Sequence, residues 1–153
     1  MVSLDWCRKQ KRGIKLVKPN LNLFKEYIDN AEESIRVIDR IEETKSNMWL
    51  ATTKYYIEYF TAYAFLMRVG IKSEIHDCTI ELLRKLEREN IIDFKISERL
   101  EADKVLRIDN QYYLKNRPVT VNLEELRELI LTVKKVAEML TPEDIEKIRK
   151  VVA

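Results

Sequence analysis

The chain reads as all-α: an up-and-down four-helix-bundle core with one or two extra terminal helices. Three observations predict this. In 153 residues there are 2 glycines and 3 prolines, where average usage would supply about 11 and 8. Hairpins, sandwiches and glycine-rich phosphate loops are therefore starved of their turn residues. Apolar residues recur at helical spacing along most of the chain, and capping residues stand where those periodic runs begin. With 46% hydrophobic and 35% charged residues the chain can build a core, which a disordered segment cannot.

Taken in order, a short helix around Ser3 to Arg12 comes first. Gly13 and Pro19 then frame a loop through Ile14, Leu16 and Val17, the only strand-like strip. A long helix follows from about Asn22 to Thr44, capped by Asn20 or Asn22, with Leu23, Tyr27, Ala31, Ile35 and Ile38 on one face. The next helix, Ser46 to Val69, is apolar on nearly all sides and should be central, ended by Gly70. Its polar strip, Asn47, Lys54, Glu58 and Thr61, is expected to face water, with Lys54 and Glu58 paired four residues apart. Ser73 is placed to cap a third helix through Asn90, buried along Ile75, Thr79, Leu82, Leu83 and Leu86. A fourth runs from Ser97 to about Tyr113, where Asn116, Arg117 and Pro118 break it. Two terminal helices begin at Asn122 with Glu125 and at Thr141-Pro142-Glu143-Asp144, both capping-box patterns. All of 1–153 is expected to be one domain, with a core at about 20–115 and a carboxy-terminal helical pair at 119–153.

Composition excludes several classes. Cys7 and Cys78 are too few for a disulfide framework and lack metal-ligand spacing, which favours a reducing cytoplasm. The opening MVSLDWCRKQ has no apolar run of signal-peptide length. Lys54 and Glu58 interrupt the apolar stretch from Met48 to Val69, so no membrane span is expected. High charge with two glutamines suits a protein from a hot environment. Net charge is +2, unevenly spread: residues 1–25 carry +6 through Arg8, Lys9, Lys11, Arg12, Lys15, Lys18 and Lys25 against Asp5, and the remainder carries −4. Such a basic arm either engages phosphates or solvates a terminus.

No nucleotide-loop, zinc-protease or serine-hydrolase signature is present, and a single histidine rules out a His-pair metal site. No metal or cofactor is expected. His76 follows Arg68 by eight residues across a turn, so the two side chains were candidates to meet as a proton carrier beside a phosphate-binding arginine. Arg107, Asp109, Tyr112 and Tyr113 form a second cluster, in which an arginine holds phosphate and a ring stacks on a base. The bland alternative packs Tyr112 and Tyr113 against the central helix and leaves Arg107 and Asp109 in surface ion pairs. Tyr56 belongs to the aromatic run Trp49, Tyr55, Tyr56, Tyr59, Phe60, Tyr63 and Phe65, mostly core, whose hydroxyls need partners and can line a cleft or dimer seam.

The stretch from Lys54 to Leu83, KYYIEYFTAYAFLMRVGIKSEIHDCTIELL, resembles the HEPN family, the higher eukaryotes and prokaryotes nucleotide-binding domain. It is similar to the prokaryotic branch in which a YYxxYxxAxALLxxxG helix precedes a KxxxHxxxxxxL helix. WCRKQKRGIKLVKPN, AEESIRV and RIDNQYY extend the resemblance over about residues 5–115. It implies a bundle of about four core helices, a homodimer, a bacterial or archaeal source, and pairing with a small nucleotidyltransferase in toxin–antitoxin operons. Family ribonucleases carry Arg-x(4–6)-His, where histidine moves protons and arginine stabilises the phosphorane without metal. Here Arg107, at the matching position, is followed by Tyr112 and Tyr113 instead of histidine, and a tyrosine of pKa near 10 is a poor proton shuttle. The resemblance also makes Tyr112 or Tyr113 a candidate acceptor for adenylylation by the partner. Three functions remain in view: RNA or nucleotide binding by a toxin-like protein through Arg107, Tyr112 and the basic arm; metal-independent RNA cleavage by Arg68 or Arg107 with His76; and a helical dimerisation module.

Overall fold

The computed structural model describes residues 2–153 and is helical, as expected, with a two-stranded ribbon as its only sheet among the described residues. The elements are α1 (Leu4–Lys9), β1 (Lys15–Leu16), α2 (Leu21–Thr44), α3 (Asn47–Val69), β2 (Ile71–Lys72), α4 (His76–Arg88), α5 (Ser97–Gln111), α6 (Leu123–Glu138) and α7 (Pro142–Lys150). Helices α2 and α3 form a long hairpin whose turn puts Lys45 in the left-handed region. Helix α3 is the centre and packs against α2, α5, α6 and α7. No helix is long and apolar enough to cross a membrane.

One continuous apolar cluster takes side chains from every helix, including Leu126, Leu129, Ile130 and Val133 of α6 and Ile148 of α7. The carboxy-terminal pair therefore completes the core, and Pro118 divides nothing. Local signals explain most boundaries. The side chains of Asn20, Ser46 and Asn122 accept from backbone N–H groups three residues on, and Thr141 with Asp144 closes a full capping box. Gly70 ends α3 at φ 77°, in the left-handed region. A Cβ there would lie 2.4 Å from both the Val17 carbonyl oxygen and Arg149 Nη1, so glycine is needed for space as well as conformation.

Three expectations are corrected. Helix α4 begins at His76 rather than near Ser73, because β2 pairs antiparallel with β1 and holds the chain extended. Ser73 is buried and spends its hydroxyl on Thr79 and Ile75 instead of a cap. Glu87 folds back so that its carboxylate accepts from the N–H groups of Ile96 and Ser97, supplying the cap that α5 lacks in its own sequence. The polar strip of α3 does not face solvent: Glu58 and Thr61 are fully buried. Thr61 satisfies its hydroxyl on the Ile57 carbonyl one turn back. Lys54 pairs not with Glu58 but with Asp103 of α5, at 3.3 Å. Packing of α5 over that strip decides the outcome, since it converts a solvated stripe into a buried polar seam.

Cys7 and Cys78 are joined in a disulfide that ties α1 to the first turn of α4. The expectation of unlinked thiols is overturned because residues distant in sequence are adjacent in space. The basic arm is only partly free: Arg8 and Lys9 pair with Asp5, Arg12 with Glu74, and Lys15 donates to the Arg8 carbonyl.

Candidate functional site

The tyrosines of α3 recur at one- and four-residue steps, so Tyr55, Tyr56, Tyr59, Phe60 and Tyr63 share one broad face. Helix α4 starts against it. The Ser73 N–H donates to the Tyr63 hydroxyl at 3.2 Å, and Thr79 bridges Ser73 and the Tyr59 hydroxyl at 2.8 and 3.0 Å. This buried chain of hydrogen bonds fixes the height of α4 on α3. It leaves His76 stacked on Tyr59 with ring centroids 4.0 Å apart, and edge-on to Tyr56 at 6.2 Å.

His76 Nδ1 is 2.8 Å from the Tyr55 hydroxyl. Tyr55 is fully buried, and among the described residues His76 is the partner of that hydroxyl. Its proton is satisfied only if Tyr55 donates to Nδ1, which leaves the histidine proton on Nε2. Burial pushes the Tyr55 phenol far above its usual range, with Tyr59 adding to the effect. His76 is held below its ordinary 6.5, chiefly by burial and next by the charge of Arg107, so near pH 7 it is a neutral ring presenting an Nε2–H donor.

Arg107 comes to the same place from α5. Its guanidinium carbon lies 4.9 Å from the Tyr55 ring centroid and 5.5 Å from that of Tyr56. One Nη1–H donates weakly to Gln111 at 3.5 Å, and the buried Nε has no partner. No carboxylate pairs with it among the described residues. One turn earlier, Lys104 is held by Asp77 and Glu101. Arg107 and His76 thus pack on the same two tyrosines, Tyr55 and Tyr56, which is the pairing of Arg107 with His76 that the sequence offered beside Arg68 with His76. The missed signal was Tyr55 itself, a buried phenol needing a partner.

The other candidates separate. Arg68 is near the far end of α3, 13 residues beyond Tyr55, or about 20 Å along the axis and on the opposite side of the helix. The proposed Arg68–His76 pair does not form, because β2 carries the chain back along α3 before α4 begins. Asp109 pairs with Lys115 at 3.3 Å and with Arg117 at 2.6 Å, and the Arg117 hydrogen bond holds its carboxyl below the usual range. It clamps the segment after α5. Tyr112 and Tyr113 are 65% and 67% exposed, at and beyond the end of α5. The bland alternative holds for Asp109, which sits in ion pairs, and is reversed for the rest: the arginine packs on the central helix and the two tyrosines face water.

A second buried polar group lies along α3. Neither Glu58 oxygen accepts a hydrogen bond, Arg99 approaching only to 3.8 Å, and Asp103 Oδ2 has the Lys54 ion pair but no hydrogen bond. Burial and the neighbouring Asp103 push the Glu58 carboxyl up to about 10. A proton on Glu58 supplies the donor that both carboxyl groups lack. Among the described residues no cluster of histidine, cysteine and carboxylate side chains is suited to a metal ion. No family model and no curated sequence matches the chain.

Proposed function

We propose that the chain binds a phosphate of single-stranded RNA, or of a nucleotide, at Arg107 and His76. The observation that supports this is that two unneutralised donor groups, the Arg107 guanidinium and the His76 ring, pack on the same pair of tyrosines: Arg107 over the Tyr55 and Tyr56 rings, His76 stacked on Tyr55 and edge-on to Tyr56. A guanidinium without a carboxylate partner is an anion site in waiting, and a neutral Nε2–H adds a directional donor without a second charge to desolvate. Together with the motif of α3, this favours a HEPN-like, toxin-like component acting as a homodimer, with a minimal nucleotidyltransferase as partner. The exposed Tyr112 and Tyr113 are accessible to such an enzyme. The same reading places the chain in the cytoplasm of a thermophilic archaeon, where intracellular disulfides are frequent. A melt at mesophilic temperatures would count against that placement.

The test is binding of a labelled single-stranded RNA in excess chelator. Loss of a charge-assisted hydrogen bond in Arg107→Ala should weaken binding about ten- to hundredfold, and affinity should fall steeply with salt. Unchanged affinity in Arg107→Ala would refute the assignment.

Metal-independent RNA cleavage is the second reading, favoured by the proximity of Arg107 to a neutral histidine. There His76 must take a proton from the ribose 2′-hydroxyl, which needs the lone pair on Nε2 and hence a tautomer that turns the Tyr55 hydroxyl away. Cleavage in chelator that disappears in both Arg107→Ala and His76→Ala would establish it. Intact RNA in all three proteins leaves the site as a binding site.

A further inference from the structure

We infer that the aromatic cleft beside this site stacks one unpaired RNA base, while Lys72 holds a phosphate next to it. The inference rests on the RNA-binding function proposed above and names the part of the strand that the site reads.

The cleft has a volume of about 280 Å³ and is lined by Tyr27 of α2, by Tyr56, Phe60 and Tyr63 of α3, by Lys72 and by His76. That is just below the roughly 300–1,000 Å³ of pockets that enclose drug-sized ligands, so it suits a single ring system rather than a whole nucleotide. Its walls are of two kinds. Tyr63, Tyr59 and His76 stack on one another at interplanar angles of 15° and 20° and use up each other's faces. Tyr27, Tyr56 and Phe60 are half-buried and meet one another at tilts of 38° and 40°; Tyr63 lies edge-on to Tyr27 and Arg107 sits over Tyr56, so a flat ligand would stack on the sides of these rings that line the cleft.

Charge selects among flat ligands. In the β1–β2 ribbon Lys15 stands directly opposite Lys72, and both are exposed. Like charges in a cross-strand pair are destabilising; the fold accepts the pair with Lys72 lining the cleft and Lys15 donating to the Arg8 carbonyl. Lys72 forms no ion pair among the described residues. The one acid lining the cleft, Glu74, is already paired with Arg12 at 3.5 Å. An aromatic slot rimmed by the unpaired Lys72 is the arrangement that binds single-stranded nucleic acid by stacking and phosphate contact together. Because His76 belongs to both the cleft and the Arg107 site, a base in the cleft puts its neighbouring phosphate within reach of Arg107. A base in a duplex has no free face to offer, so the strand must be unpaired.

The experiment compares two short labelled 2′-O-methyl strands, which lack the attacking hydroxyl: one with bases and one abasic at every position. Wild type should bind the strand with bases about five- to hundredfold more tightly. Tyr27→Leu, which keeps apolar packing, should erase that preference with its melting temperature checked, while the exposed Lys72→Glu should weaken both strands and lower the salt slope. Equal affinity for the two strands, with Arg107→Ala still weakening both, overturns the cleft and leaves the phosphate site standing. If Arg107→Ala changes neither strand, or neither binds, the function proposed above fails and the cleft falls with it.

Discussion

Removing the Cys7–Cys78 cross-link should cost the protein a large part of its stability. The bond closes a loop with a sequence separation of 71. In the chain-entropy treatment the denatured state then loses about 15 cal/mol/K, which is about 4.4 kcal/mol at 25 °C. Both sulfurs are fully buried, so Cys7→Ala/Cys78→Ala removes the link without burying a hydroxyl. For a chain of this length about 4.4 kcal/mol corresponds to a fall of roughly 10–17 °C in melting temperature. The assay is a thermal melt by circular dichroism of the wild type, the double variant, and the wild type unfolded and refolded in a dithiol reductant. The last two should melt together, and the oxidised wild type should show no free thiol when denatured. A double variant melting within about 3 °C of wild type, or a wild type with two titratable thiols, would refute the reasoning.

The remaining predictions concern buried charge and one cationic hub. Glu58 binds its proton far more tightly in the folded state, at about 10, than its ordinary 4.5. Between those values the folded state holds the extra proton, so wild-type stability should fall as pH rises. Glu58→Gln removes that slope, and from pH 6 to 8 the variant should gain on wild type by up to about 2.7 kcal/mol in urea titrations; parallel curves would contradict the protonated assignment. Arg149 Nη1 donates to the carbonyls of Val17, Val69 and Gly70 at 2.7, 3.0 and 2.8 Å, placing a cation at the end of α3. Arg149→Met should cost about 3 kcal/mol and speed hydrogen exchange at the Val17 amide, which donates to Gly70. Exchange at that amide matching wild type would disprove the hub. His76 is neutral near pH 7, and its protonation would set a second cation beside Arg107. RNA binding should therefore tighten as pH is lowered through its titration below 6.5, and the effect should be absent in His76→Ala.

Features encoded within a few residues were legible in advance. The glycine and proline scarcity and the apolar periodicity announced the helices, and α2 and α3 begin at Asn20 and Ser46 as their caps require. The caps formed by the Gly70 N–H and by Thr141 act through contacts at most four residues away, and such signals hold whatever the fold does elsewhere. The site was only half visible. Arg107 and His76 were each singled out, but spacing alone did not choose between Arg68 and Arg107 as the partner of His76, and it grouped Arg107 with Tyr112, its neighbour in the chain.

Which groups meet was decided by tertiary packing. Tyr55 takes His76 from 21 residues away and Arg107 from another helix because a buried hydroxyl must find a partner and a buried ring can carry a cation on its face. Glu58 has the spacing of a surface ion pair, yet α5 covers it and makes it hold a proton. Two cysteines 71 residues apart become neighbours only once α1 folds onto α4. The sequence by itself determined the helices, through the energetics of single turns and caps. The tertiary structure alone decided the charge states, the cross-link and the site, because desolvation and distance depend on which surfaces the folded chain brings together.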